Sequence, residues 1–218
     1  MATPMRHKVV SVNEWKKIRT KMLLKEKALT HKRDALTALI RKMPWVKIEK
    51  EYSFDTLHGR KTLSGLFDGK SQLLVYHFMF GPSWGEGCPS CSFWADHFNG
   101  LGYHLPHRDV SFKVISRAPL KKLQAYRKRM GWQFDWVSSA SSTFNKDVGI
   151  SAEDEEPPTI SIFFREADEV YLTYRTTGRG IEVLNPSYAI LDLVPKGRDE
   201  SKFKFPMTWV ERHDQYIK

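Results

Sequence analysis

The sequence predicts an α/β fold in which helices flank a mixed β-sheet, preceded by a basic helical extension, and three observations carry that prediction. Strand-like and helix-like segments alternate from Leu73 to Ser139, the order that builds parallel β-α-β units. Two β-rich runs, Thr159–Phe164 and Glu169–Tyr174, then follow closely enough to pair as an antiparallel hairpin. Residues 11–43 hold ten Lys or Arg against Glu14, Glu26 and Asp34, and account for +7 of the formal net charge of +10. Their apolar residues recur with helical spacing.

At 218 residues, with 41% hydrophobic and 28% charged positions, the chain can bury one ordinary core beside an extension. In the extension, Ser11 and Glu14 fit a capping box. Trp15, Ile18 and Met22 share one face, and Leu36, Leu39, Ile40 and Met43 repeat the pattern until Pro44 stops it. One long helix, or two joined near Thr30, is expected, dividing the chain into residues 1–45 and a main domain of residues 46–218. The charge reads as a solvated face above a packing stripe, which would lie on the main domain or form a homodimer with a second copy. No aromatic-rich recognition motif accompanies the charge, so nucleic acid is not the expected partner.

No apolar run reaches the ~20 residues that cross a bilayer, and Met1-Ala-Thr-Pro-Met-Arg-His-Lys8 has no secretory apolar core. A cytoplasmic protein without membrane association is therefore expected. Beyond Trp45, Tyr52-Ser-Phe54 reads as a short strand, Asp55–Gly59 as a turn and Leu63–Phe67 as one helical turn. Leu73–Phe80 is a continuous apolar run, as in a central strand covered on both faces. Gly81 and Pro82 end it, and Ser83–Gly87 forms a loop. Cys91, Trp94, Ala95 and Phe98 then mark a helix with one buried face. Val110–Ser116 reads as a strand, Pro119–Met130 as a helix opened by proline and Trp136–Ser139 as a short strand. Glu153–Glu156 forms an acidic loop. Ile181–Ala189 is a weaker helix interrupted by Asn185-Pro186, and Pro195–Lys218 has no clear period.

The only two cysteines form Cys88-Pro89-Ser90-Cys91 at the start of the first domain helix. In a reducing compartment such a pair is catalytic, redox-sensing or metal-binding rather than a structural disulfide. Two thiolates alone cannot make a four-thiolate zinc site. If Cys88 is the N-cap and Pro89 the first helical residue, the sulfur faces the unpaired amides of Ser90 and Cys91 and the positive end of the helix dipole. That placement lowers a thiol pKa from ~8.5 toward ~7 or below. Cys88 would then attack a disulfide and Cys91 would resolve the mixed disulfide. The alternative is that both sulfurs merely pack the helix.

Strand, dithiol at a helix start, helix, strand, helix and then Pro-Thr-Ile-Ser-Ile-Phe resembles the thioredoxin fold. More closely, Tyr76-His-Phe-Met-Phe-Gly-Pro82, Gly87-Cys-Pro-Ser-Cys-Ser-Phe-Trp94, Val114-Ile-Ser-Arg-Ala-Pro119, Met130-Gly-Trp132 and Leu191-Asp-Leu-Val-Pro-Lys-Gly-Arg-Asp-Glu200 resemble a bacterial thioredoxin-like family, domain of unknown function family 899. The resemblance implies a thioredoxin-like mixed sheet and leaves the substrate open. It also implies that Pro158 is a cis-proline facing the dithiol and presenting the backbone of the preceding residue to a substrate, with Pro157 a register alternative.

Other candidates surround the motif. His77, on the central strand, could carry protons beneath the dithiol, although a histidine there also serves as a hydrogen-bonded core residue. Glu86 is the nearest carboxylate in sequence and a candidate base. Trp84 could wall the site, but it does not directly precede the first cysteine as a tryptophan does in thioredoxins.

Three functions follow. A cofactor-independent thiol-disulfide oxidoreductase would act through Cys88 and Cys91 on a disulfide-containing protein or small thiol. A thiol peroxidase resembling peroxiredoxins would use Cys88, with Pro82 upstream and Arg117 as the distant anion-stabilising arginine, yet Gly85 stands where a hydroxyl residue belongs. A copper or zinc protein would join both cysteines to His77, His104 or His107.

Overall fold

The computed structural model describes residues 7–150 and 157–216, which fall into two compact units, 1–44 and 45–218. The acidic loop expected at 153–156 lies outside the described residues. The first unit is a single helix, α1 (Val12–Ile40), without a break at Thr30. Ser11 Oγ accepts the Glu14 N–H at 3.2 Å, satisfying one of the donors that a helix start leaves open. At 1.5 Å per residue its 29 residues span about 43 Å. The helix stops at Ile40, whose carbonyl would take its helical bond from residue 44; Pro44 has no N–H to give it, and its ring would clash there. No described helix is long and apolar enough to cross a membrane.

The second unit is built on β1 (Val46–Lys47), β2 (Ser53–Thr56), β3 (Gly59–Thr62), β4 (Gln72–His77), β5 (Val110–Ser116), β6 (Trp136–Ser138), β7 (Thr159–Glu166) and β8 (Glu169–Thr177). They form one mixed sheet in the order β1-β8-β7-β4-β5-β6-β2-β3. The helices are α2 (Pro89–Phe98), α3 (Leu101–His104), α4 (Leu120–Arg129), α5 (Phe144–Asp147) and α6 (Pro186–Leu191). β4 pairs in parallel with β5 and β5 with β6, whereas β7 runs antiparallel to both β4 and β8. A parallel β-α-β unit followed by an antiparallel hairpin, with the dithiol opening the first crossover helix, is a thioredoxin-like fold.

Local departures from expectation have physical causes. The turn expected at Asp55–Gly59 is tighter: Leu57 and His58 turn alone, Gly59 takes φ +92°, and β3 follows. Only a residue without Cβ occupies that backbone region freely. The ladder of β4 ends at His77 rather than Phe80. Its register sets His77 opposite Thr159, and the residues before Thr159 are prolines, which cannot donate to a ladder. Phe78 still bonds Ile115 O at 2.9 Å, and Phe80 O accepts Ala118 N–H at 2.8 Å. Asn185-Pro186 splits the last helical segment into a 3-10 turn, Gly178–Leu184, and α6, which Asn185 caps through Tyr188 N–H.

Strand alternation sends successive side chains of β4 to opposite faces. Leu73, Val75 and His77 meet the layer made by Phe54, Leu66, Phe67 and Phe144. Tyr76, and Phe78 and Phe80 beyond it, meet α2 and α4 in an aromatic core with Trp94, Tyr126 and Trp136. Phe78 and Trp136 approach to 4.7 Å between ring centroids. Cys91 belongs to this second layer.

Candidate active site

Cys88 is the N-cap of α2, and Pro89 opens the helix. Proline fits there because its missing N–H would have had no helical partner. Cys88 Sγ accepts the Cys91 N–H at 3.5 Å. The cap is anchored on both sides: Cys88 N–H donates to Met79 O at 3.1 Å, and Cys88 O accepts from Ser92 N–H and Ser92 Oγ, each at 2.9 Å. Ser92 Oγ is also within 3.0 Å of the Tyr126 hydroxyl. Tyr76 reaches across the layer to donate its hydroxyl to Cys91 O at 3.2 Å.

The two sulfurs are electrostatically unequal. The Cys88 thiol is drawn down from 9.0 to about 6, first by a hydrogen bond from the Cys91 side chain, then by the Cys91 and Ser90 amides and the charge of Arg212, against the opposing effect of burial. The Cys91 thiol is pushed well above 9.0, chiefly by full burial and then by its hydrogen bond to Cys88. Cys88 is partly exposed and Cys91 is buried. An accessible thiolate beside a buried protonated thiol is the arrangement that separates attack from resolution.

Arg212 had no signal in the sequence, because it lies in a tail without period. Its guanidinium donates twice to Gly87 O, at 2.7 and 3.1 Å, and pairs with Glu86 at 3.0 Å. The tail is held by Val210, which is buried, by Asp214 on Arg129 at 2.6 Å and by His213 Nδ1, 2.7 Å from Asp96. Arg212→Met is expected to raise the pH midpoint of Cys88 alkylation, read by iodoacetamide labelling of the reduced protein. An unchanged midpoint would show that the helix start and Cys91 set the thiolate without it.

The other candidates sort differently. Pro158 lines the same cleft as Cys88, but its bond to Pro157 is trans, and no peptide bond among the described residues is cis. Trans is the lower-energy form even for X-Pro, and the hydroxyl of Thr177 holds Pro158 O at 2.9 Å. His77 is not beneath the dithiol. It lies on the opposite face of the sheet, stacked on Phe144 with ring centroids 6.0 Å apart and bonded to Ser161 Oγ at 3.0 Å. Burial, then the charge of Arg175, lowers its pKa to about 3. It is a neutral core residue.

Glu86 is no free base, since Arg129 and Arg212 both pair with it and lower its pKa, the hydrogen bond from Arg129 most of all. Trp84 is exposed, lies over Gly81 and is not among the residues lining the cleft. Arg117 follows β5 and is likewise not among the cleft residues; the arginine whose charge acts on the Cys88 thiol is Arg212. His104 ends α3 and His107 lies in the next 3-10 turn. Among the described residues no group of three or more His, Cys, Asp or Glu is placed to hold a metal ion.

Beside Cys88 opens a cleft of about 960 Å³. Met79, Trp94, Ile181, Tyr188, Phe205 and Met207 contribute its apolar walls. Trp94 Nε1 donates to Ile181 O at 3.0 Å, tying the 3-10 turn to α2.

Fold and site together define a thioredoxin-like protein with a dithiol at the first crossover helix. The chain belongs to the family described as bacterial protein of unknown function (DUF899), whose model matches residues 4–216. Among curated proteins, none matches the chain. Among solved structures it is similar to peroxiredoxin Q of Xylella fastidiosa, with 19% identity and TM-score 0.44 over 64% of this chain and 89% of that one. It is also similar to peroxidoxin BcpB from Mycobacterium tuberculosis, with 17% identity and TM-score 0.49 over 67% and 96%. Likenesses at this level say nothing of the chain's activity.

Proposed function

We propose that the protein is a thiol-disulfide oxidoreductase in which Cys88 is the nucleophile and Cys91 the resolving thiol. The observation that carries this reading is the opposed perturbation of two neighbouring sulfurs: Cys88 is drawn to about 6 and accessible, while Cys91 is held protonated and buried. The Cys88 thiolate attacks one sulfur of a disulfide, forming a mixed disulfide and expelling the other sulfur as a thiolate. Cys91 then loses its proton and attacks Cys88 Sγ, forming the Cys88–Cys91 disulfide and releasing the second thiol. The substrate gains two electrons and the dithiol loses two. An external dithiol restores the reduced state.

The order of events predicts a trapping asymmetry. Cys91→Ser is expected to accumulate mixed disulfides through Cys88, visible as dithiothreitol-sensitive mass additions to the intact protein, while Cys88→Ser accumulates none. Equal trapping by both variants would refute the assigned roles.

A further inference from the structure

An extended polypeptide docks on free backbone through main-chain hydrogen bonds. Beside Cys88 the backbone lining the cleft ahead of β7 is Pro157-Pro158, which offers no donor because neither residue has an N–H. Each of its acceptors already holds one donor: Pro157 O takes the Thr159 hydroxyl at 2.8 Å, and Pro158 O takes the Thr177 hydroxyl at 2.9 Å. This segment therefore offers a peptide no donor and only the second lone pair of each carbonyl.

The cleft beside it has the opposite character. Its volume, about 960 Å³, is that of a small-molecule pocket. Met79 and Met207, among its walls, are unbranched side chains that adapt to varied apolar shapes. The charged residues lining the cleft are satisfied by one another or by protein neighbours. Glu182 pairs with Arg198 at 3.0 Å and with Arg179 at 3.2 Å, and Arg198 also pairs with Asp192 at 2.7 Å. Glu200 accepts from the Tyr188 hydroxyl at 2.9 Å and from Trp209 Nε1 at 2.6 Å. Arg179 is largely exposed, but at Arg198 and Glu200 an ionic ligand would have to compete with these partners, whereas an apolar one gains burial without disturbing them.

We infer that the substrates are low-molecular-weight disulfides carrying an uncharged aliphatic or aromatic arm, with the arm lying in the cleft while Cys88 attacks the sulfur at its mouth. This inference rests on the dithiol reading above. The attack forms the bond between Cys88 and the arm-bearing sulfur, and the other sulfur leaves as a thiolate. Cys91 then releases the arm as a free thiol and closes the Cys88–Cys91 disulfide, and dithiothreitol reduces it in the assay.

The test uses the reduced full chain and alkyl 2-pyridyl disulfides with methyl, butyl and octyl arms, following release of pyridine-2-thione. Rates are divided by those of dithiothreitol with the same compounds, which removes intrinsic reactivity. The normalised rate is expected to rise at least about tenfold from methyl to octyl, as burying two or more methylenes implies. Met207→Glu, which places a charge on the cleft wall, is expected to lower the octyl-to-methyl ratio. A flat chain-length series, with methyl reacting through Cys88, would overturn the substrate class while leaving the dithiol reading intact. Faster reaction with a disulfide-bonded peptide or oxidised glutathione than with the octyl compound would overturn it in the same way. If Cys88→Ser reacts with the methyl compound as fast as the unaltered chain, the dithiol reading itself fails, and the substrate inference with it.

Discussion

Replacing Cys88 by serine is expected to abolish disulfide exchange, leaving at neutral pH a rate at least about a hundredfold lower. The magnitude follows from ionisation. A thiol titrating at about 6 is roughly nine-tenths thiolate at pH 7, whereas a thiol at its ordinary value is a few per cent ionised or less. The remaining Cys91 is both buried and held protonated, so it contributes less than an ordinary thiol would. In the unaltered reduced protein, iodoacetamide labelling should rise through a midpoint near 6 and then level off. A midpoint at the ordinary thiol value would show that the helix start does not activate Cys88.

The same shift gives a stability signature. The folded-state pKa of Cys88 is depressed, so its contribution to stability is full above the unfolded value of 9.0 and is lost as pH falls through about 6. Reduced protein should therefore gain stability over Cys88→Ser as pH rises from about 6 to about 9, read as a growing difference in urea midpoints. A difference independent of pH across that window would contradict the depressed pKa. The raised pKa of Cys91 opposes folding only above its own unfolded value, outside the window.

The sequence revealed the scaffold more readily than the chemistry around it. β5 is bounded by the residues its β-branched and aromatic pattern suggests, Val110 and Ser116, and α2 buries Cys91, Trp94, Ala95 and Phe98 at helical spacing. Periodicity reports such elements because one buried face repeats at a fixed interval. The same rule, carried one step further, would have separated His77 from the dithiol. Tyr76 and His77 are adjacent on a strand, so only one of them can face α2, and the structure gives that face to Tyr76. Arg212 could not be read at all, since it meets Gly87 across 125 residues of chain and belongs to a segment without repeat. β1 was equally silent: two residues, Val46 and Lys47, pair with Leu172 and Tyr171, too short a strand for any period to register.

Gly87 is where scaffold and chemistry meet, and Gly87→Ala is expected to damage both. A Cβ at this position would lie 2.7 and 2.9 Å from Cε1 and Cζ of Phe78 and 3.0 Å from Tyr126 Cε1, closer than carbon atoms tolerate. Phe78 cannot yield, because its ring is buried and packed against Tyr76, Tyr126, Trp132 and Trp136. The backbone must move instead, at a cost of about 1–3 kcal/mol typical of overpacking. It carries Cys88 with it, together with the Gly87 carbonyl that Arg212 grips. The expected result is a lower urea midpoint and a raised pH midpoint for Cys88 alkylation in the same variant. Ser90→Ala separates the two effects: Ser90 Oγ is not among the groups acting on the Cys88 thiol, and its amide, which is, survives the change. Its alkylation midpoint should stay near that of the unaltered chain. If Gly87→Ala kept the Cys88 midpoint near 6 while losing stability, the close packing beneath Gly87 would serve the core alone, and the thiolate would owe its low pKa to the helix start and Cys91.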